Sequence, residues 1–337
     1  MLIIRPITSD DYPALMQIAI DTGIGFTSLP INEDLLRKRI KHSEESFVAQ
    51  VDKPGDQGYL LVMEDTETGE IVGTSGIEAS VGLDSAFYHY HLGKVVHSSQ
   101  ELKLHNVINT LTLCNDYTGA AEVCTLFLKE KARFGNNGRV LSRFRFLMLA
   151  EFAERFGQTV IAEMRGVSDE EGHSPFFQWL QEHFFNMDFQ TVDHMMGLGN
   201  KVFIAELMPR YPVYTNLLSQ EAQDVIGHVH KKTAPALKLL QREGFVHRGY
   251  VDIFDAGPTV ECELSEIKSV KESKRLSVKV TSEVSDAVPH IICNTVLENF
   301  RAMEAQIAID GETAMITPQQ ADALGVSDND PIRVLAI

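Results

Sequence analysis

The stretch AEVCTLFLKEKARFGNNGRVLSRFRF, residues 121–146, decides how this chain is read. Ala121–Leu128 is an apolar run of strand length. RFGNNGR, Arg133–Arg139, is a turn. After it, Leu141, Phe144, Met148 and Phe152 recur at helical spacing within Val140–Phe156. Between Lys129 and Arg145 stand six basic residues, Lys129, Lys131, Arg133, Arg139, Arg143 and Arg145, against the single acid Glu130. In a chain of net charge −17 that local reversal asks for an anion. A glycine-containing turn ahead of a helix supplies one binding mode: backbone N–H groups and about half a positive charge face a pyrophosphate, and glycine leaves the backbone open to close approach. Coenzyme A, with its pyrophosphate and 3′-phosphate, meets that description. A solvated basic helix face beside a surface turn is the plainer alternative. The Gly-Lys-Ser/Thr ending of a P-loop and the G-x-G-x-x-G spacing of a Rossmann turn are both absent.

Outward from this unit the chain alternates strands and helices. Leu2–Ile4 reads as a strand, and Ser9-Asp10-Asp11 precedes a helical face of Tyr12, Leu15, Met16 and Ile18–Ile20. TGIGFTSLP (22–30) is a loop, followed by a charged helix over 32–44. GYLLVMED, TETGE and IVGTSGIEA form a hairpin over 58–79. Ala86–Val95 and Val107–Cys114 are strand candidates. Thr159–Met164 is a strand, and Ser174–Phe185 a helix opened by a Ser-Pro N-cap and N1 pair. Helices follow near Ser219–Val225 and Ala234–Glu243, the latter stopped by Gly244, and then a strand at Tyr250–Phe254. KSVKESKR (268–275) reads as a charged linker. The boundary it suggests separates a domain of residues 1–267 from a small β-rich C-terminal domain of residues 268–337.

Composition narrows the function. With 337 residues, 44% apolar and 23% charged, the chain buries an ordinary core. No apolar run reaches the roughly 20 residues of a membrane span, and MLIIRPITSDDYPAL lacks a signal-peptide apolar segment, so the expectation is a cytoplasmic protein without membrane contact. The acidic balance disfavours nucleic acid and favours small cations. Cys114, Cys124, Cys262 and Cys293 show neither disulfide nor zinc spacing, and no metal is expected.

The strand, basic turn and helix, with the β-α start and the 58–79 hairpin, resemble the GNAT acyltransferase fold: a mixed α+β sheet flanked by helices. That family's turn reads Arg/Gln-x-x-Gly-x-Gly/Ala. Here Arg133 and Gly138 fit its ends, Asn136 stands at the middle glycine position, and Gly135 lies one residue early. A narrower resemblance rests on TGIGFTSLP, GAAEVCTLFL (119–128), AEMRGV (162–167), FIAELMP (203–209), LSQEAQDVIGHVH (218–230), TAPA (233–236) and YVDIFDAGPT (250–259). Together these are similar to the arginine N-succinyltransferase family over residues 1–265. The resemblance implies transfer of succinyl from succinyl-CoA, a co-substrate and not a resident cofactor, to the α-amine of L-arginine in arginine catabolism. It also implies an oligomer of like chains or a pair of related subunits. Ornithine or another basic amine, or a non-catalytic amino-acid or acyl-CoA sensor, are the alternatives.

Carried over by motif, the resemblance puts the catalytic histidine on His230 and a succinyl-CoA contact on Leu126, while the basic glycine turn itself offers Arg133, Gly135, Gly138 and Arg139 to the phosphates. Acyl transfer to an amine needs a neutral nucleophile, a held oxyanion and a proton for the leaving thiolate. A histidine titrating near neutrality serves the first or third need. A surface histidine ahead of Lys231-Lys232 is the bland reading of His230. His228 is assigned a supporting or incidental place, and a buried thiol is the better reading of Cys124 than a nucleophile. Arg165 is a candidate for the succinyl carboxylate or for a salt bridge, and Thr27 and Ser28 are candidate donors. Glu122, Glu163, Glu206 and Asp224 are unranked candidates for a guanidinium. Phe184, Phe185, Phe189, Met195 and Met196 are assigned to the core.

Overall fold

The structure, a computed structural model, describes residues 1–23, 28–169, 172–184 and 206–337. Among these residues fifteen strands form one continuous ladder in the order β12-β15-β11-β14-β13-β1-β2-β3-β6-β7-β10-β9-β4-β5-β8, with β8 the two-residue edge Val213–Tyr214 and the other ranges given below. β1 is Leu2–Pro6, and the β2–β3 hairpin is Gly58–Asp65 and Glu70–Glu78. Alternation along β2 sorts its side chains onto two faces. Leu60 and Val62 pack with Ile7, Leu15, Ile18, Leu36 and Ile40 under α1 (Tyr12–Thr22) and α2 (Glu33–Val48). Leu61 and Met63 face the opposite way, into the core under α3 (Asn137–Glu151) with Leu141, Phe144 and Met148. The sheet is therefore covered on both sides where the basic turn leaves it.

The decisive strand is β6 (Ala121–Leu128), beside β7 (Thr159–Glu163), β10 (Pro258–Glu263) and β9 (Val246–Val251). Preceding β6 is a long hairpin, β4 (His89–Ser99) and β5 (Leu104–Cys114), paired from His89↔Cys114 to Ser99↔Leu104. The candidates at 86–95 and 107–114 are the two arms of this one hairpin, and the polar residues at its tip hide its length from an apolar-run reading. α4 (Pro175–His183) and α5 (Gln220–Val225) put Trp179, Leu180, Ala222 and Val225 against Tyr90, Leu111 and Val251. Ser174 caps α4 as its spacing predicts, and α6 (Ala234–Arg242) stops before Gly244, which takes φ +102°. β9 ends at Val251, not at Phe254, because Asp252 turns the chain.

The stretch expected as a charged linker is ordered: α7 (Lys268–Glu272) and then β11 (Lys274–Val280). Its serine and arginine have partners within the fold. Ser269 is buried with its N–H on Glu243 Oε2 at 2.8 Å, and Arg275 stands 3.5 Å from Glu151. β11, β12 (Val288–Asn294), β13 (Ala302–Asp310), β14 (Thr313–Ile316) and β15 (Pro331–Ala336) close into a ring through the β12–β13 pairing. Thr317 and Gln320 form a capping box at α8 (Pro318–Leu324). β13 joins β1 through Ile3↔Met303 and Ile4↔Ala302. Phe184, expected in the core, is exposed at 36%. Among the described residues its ring meets Trp179 and His183 of α4. Phe185, Phe189, Met195 and Met196 lie outside the described residues. No helix among the described residues is long and apolar enough to cross a membrane.

Candidate active site

β6 and β7 run parallel but pair only through Ala121↔Val160 and Glu122↔Ile161. Beyond those pairs they diverge and leave a fork in the sheet. Thr125, just inside it, takes φ +54°, rare for a β-branched residue, and the ladder to β3 shifts register between Thr74 and Gly76. Arg39 of α2 fixes this bulge. Its Nη2 donates to Thr125 Oγ1 at 2.8 Å and to Glu78 Oε1 at 3.1 Å, and its Nη1 donates to Ser28 O. Sequence reasoning passed over Arg39, because nothing local links it to residues some 86 positions away.

His230 stands at the mouth of the fork. Met164 N donates to Pro258 O at 3.1 Å, on the β10 side. Successive backbone groups of an extended chain face opposite edges, so the Arg165 carbonyl faces the edge that β6 has left. His230 N donates to that carbonyl at 2.8 Å, and Val229 bridges Gly166. Glycine is required at 166, because a Cβ there would lie 2.4 Å from Asp255 O. Asp255 in turn accepts from Gly166 N at 2.7 Å and Gly257 N at 2.8 Å, while Ala256 O accepts from Gly227 N at 2.8 Å. The DIFDAG turn therefore clamps both segments that hold the histidine, the one at Gly166 and the one at Gly227. Burial, with the Asp255 and Glu163 carboxylates nearby, pushes Asp252 well above the usual carboxylate range.

The imidazole itself is partly buried. Lys232 N donates to His230 Nδ1 at 3.1 Å. An Nδ1 that accepts leaves the neutral ring's proton on Nε2. Burial first, then the positive charges of Arg165, Lys232 and Lys231, holds the ring below its ordinary value of 6.5. At neutral pH the site therefore has a neutral ring with Nε2–H available to donate. His228 is exposed.

At the turn, Gly135 takes φ +53° and no atom lies within 4 Å of where its Cβ would be. Asn136 occupies the N-cap of α3 without capping it; its Nδ2 instead donates to Glu304 of β13 at 3.1 Å. That gives Asn136, where the family pattern has glycine, a tie to the C-terminal ring. The helix's leading N–H groups are left without a side-chain acceptor. The six basic residues sort into two groups. Lys129 and Lys131 pair with Glu70, Arg143 with Glu243, and Arg145 is buried. Arg133 hydrogen-bonds Leu128 O at 2.8 Å, and neither it nor Arg139 has an acidic partner among the described residues. Gly138 is open on the same turn, and Leu126 is half-buried on β6 against the α3 core.

The remaining candidates separate cleanly. Arg165, half-buried, donates to Ser168 Oγ at 2.8 Å, and Asp255 lies within electrostatic reach. Glu122 and Glu163 lie on the strands that form the fork. Buried His89 brings Nε2 to 2.9 Å of Glu163 Oε1, without the alignment of a hydrogen bond. Glu206 and Asp224 are exposed. Burial, with Glu122 and Glu78 adding to it, pushes the Cys124 thiol up to about 12, so it is no thiolate nucleophile. Thr27 lies outside the described residues. A cleft of about 430 Å³ opens at the start of β7, the end far from His230. Its polar groups already pair: Tyr250 Oη donates to Asp116 at 2.9 Å, and Tyr117 Oη to Glu261.

Comparison with known proteins places these residues in context. Residues 2–269 match the family model for the arginine N-succinyltransferase beta subunit, and residues 274–336 match that for its C-terminal domain. Arginine N-succinyltransferase subunit beta of Pseudomonas aeruginosa is 47% identical over 336 residues, covering 100% of this chain and 98% of that protein. The arginine N-succinyltransferase of Shigella sonnei is 45% identical over 338 residues, again with 100% and 98% covered. A solved structure, subunit AI of the arginine/ornithine succinyltransferase of Pseudomonas aeruginosa, superposes with a TM-score of 0.90 at 34% identity, covering 100% of this chain and 98% of that one.

Proposed function

Because the chain belongs to the arginine N-succinyltransferase beta subunit family, we propose that it transfers succinyl from succinyl-CoA to the α-amine of L-arginine at the fork between β6 and β7. The fork is read as a GNAT-type opening. The carrier's phosphates lie over Gly135, Gly138 and Arg139 at the start of α3, Arg133 flanks them, and the pantetheine arm runs along the backbone of β6 at Leu126. Helix N–H groups and unpaired arginines suit that anionic end.

The observation that carries the chemistry is the Lys232 amide on His230 Nδ1. A neutral imidazole with Nε2–H available stabilises the departing thiolate by hydrogen bonding. The arginine amine attacks as the free base, its C–N bond forms, the C–S bond breaks, and the proton shed by the nitrogen leaves on the thiol. His230 ends in its starting state. This favours the leaving-group role over the general-base role. The division at residue 268 is a proposal of the same kind: the C-terminal ring buttresses α3 through Glu304 and Arg333, the latter 2.9 Å from Glu151. Family members named as subunits support an assembly of like or related chains, and a cytoplasmic setting fits described residues in which no helix is long and apolar enough to cross a membrane.

The test is steady-state thiol release with succinyl-CoA and acetyl-CoA against arginine, ornithine and lysine. Succinyl-CoA with arginine is expected to give the highest kcat/KM. A higher value for ornithine moves the acceptor, and a solved relative named as an arginine/ornithine succinyltransferase subunit makes this the second reading. No turnover with any pair supports a sensing subunit instead.

A further inference from the structure

Two arginines lie within electrostatic reach of Cys124 on β6, one from each face of the sheet. Arg39 comes from α2 and is answered by acids: Glu78 at 3.1 Å, with Glu122 nearby. Arg145 comes from α3 and is not. It is 2% exposed, and its hydrogen bonds are to the Ser142 carbonyl at 2.9 Å and Ser142 Oγ at 3.1 Å, one turn back on its own helix. The Phe146 ring lies 5.9 Å away, and no acid pairs with it among the described residues. Taking a guanidinium out of water without a counter-charge is strongly unfavourable, and here burial alone drives its pKa down to about 10. An anion held there would remove that penalty.

The helix geometry says which anion. Leu141, one turn before Arg145, presses on β3, where its Cδ2 would stand 2.9 Å from a Cβ at Gly73. Residues four apart share a helix face, so Arg145 also faces the sheet. From Asn137 in the first turn to Arg145 the helix advances about 12 Å. One helix therefore presents open N–H groups at its start and an unanswered cation further in, beside the fork.

We propose that Arg145 receives the distal carboxylate of the acyl group and so selects a dicarboxylic monoacyl thioester over a neutral one. This rests on the succinyl transfer proposed above. Arg165, the candidate picked from the sequence, suits the task less, because Asp255 already answers part of its charge.

The experiment compares succinyl-CoA with butyryl-CoA, which carries a methyl group in place of the carboxylate, at saturating L-arginine. Arg145→Met replaces the buried cation with an apolar chain of similar length, and Arg145→Lys retains charge without the fork. For Arg145→Met, kcat/KM with succinyl-CoA is expected to fall about 100-fold, with butyryl-CoA turnover held or raised and binding of free CoA unchanged. Arg145→Lys is expected to lose less, again only with succinyl-CoA, and carries the test alone should the methionine variant not fold. Equal losses with both donors, or weakened binding of free CoA, overturn the proposal in favour of a carrier-binding or structural role. An unaltered donor preference overturns it as well, while leaving succinyl transfer standing. Absence of wild-type turnover with either donor overturns the function, and this assignment with it.

Discussion

The backbone N–H of Lys232 meets His230 Nδ1 at 3.1 Å, and this one contact settles which ring nitrogen carries the proton. The contact depends on a chain reversal. Thr233 N and Ala234 N both donate to His230 O as the chain turns into α6, so the Lys232 amide points back at the ring. The histidine is thereby fixed between the Arg165 carbonyl on one side and the start of a helix on the other.

Removing the ring should damage turnover far more than binding or folding. His230→Ala is expected to lower kcat by about 10²- to 10⁴-fold, with KM for both substrates and the thermal midpoint nearly unchanged. Thiol-release kinetics and a thermal melt check this together. A full rate in the variant would assign the leaving-group role elsewhere.

The imidazole should titrate low. Burial and the positive charges of Arg165, Lys232 and Lys231 all disfavour the protonated ring, so its midpoint lies below 6.5 and the neutral, competent form persists into mildly acid solution. Arg165→Gln removes one of those charges, so the midpoint should rise and the acid limb of kcat should move to higher pH. Histidine NMR titration of both proteins reads the shift directly. A midpoint unmoved by the substitution would contradict the arrangement.

Phosphate recognition should reside in Arg139 more than in Lys129, Lys131 and Arg143, whose charges are answered by Glu70 and Glu243. Arg139→Ala is expected to raise KM for the acyl-CoA about 10-fold and flatten its salt dependence, with kcat little changed. Lys131→Ala, which removes only a partner of Glu70, should leave KM alone.

Much of this geometry is legible one element at a time and little of it across elements. β6, its glycine turn and α3 could be read because their signals are local: an apolar run, Gly135 and a helical spacing of Leu141, Phe144 and Met148. The Ser174-Pro175 cap and the Gly244 stop are local too. The β4–β5 hairpin was legible only at its apolar ends. The segment 268–275 looks solvent-exposed from its charges alone, whereas Ser269 and Arg275 meet Glu243 and Glu151 from distant segments. The same limit applies to the site. His230 follows from its motif, but the fork, the Arg39–Thr125 tie and the DIFDAG clamp on Gly166 join residues far apart in sequence. No periodicity records such pairings.

Glu243 offers a stability test away from the chemistry. Its carboxylate is 4% exposed, accepts from Arg143 Nε at 3.0 Å and from Ser269 N at 2.8 Å, and so binds α3 to α7. Glu243→Gln leaves Arg143 nearly buried without its counter-charge, at a cost of about 3 kcal/mol. Urea unfolding should show a lower midpoint at constant slope. An unchanged midpoint would mean that Arg143 is adequately solvated.

The most direct test of the account is an experimental structure with coenzyme A bound. The account predicts phosphates over Gly138 and Arg139, the pantetheine arm between β6 and β7, and the sulfur within hydrogen-bond reach of His230 Nε2. Coenzyme A seated elsewhere, or a sulfur that the ring cannot reach, would contradict it.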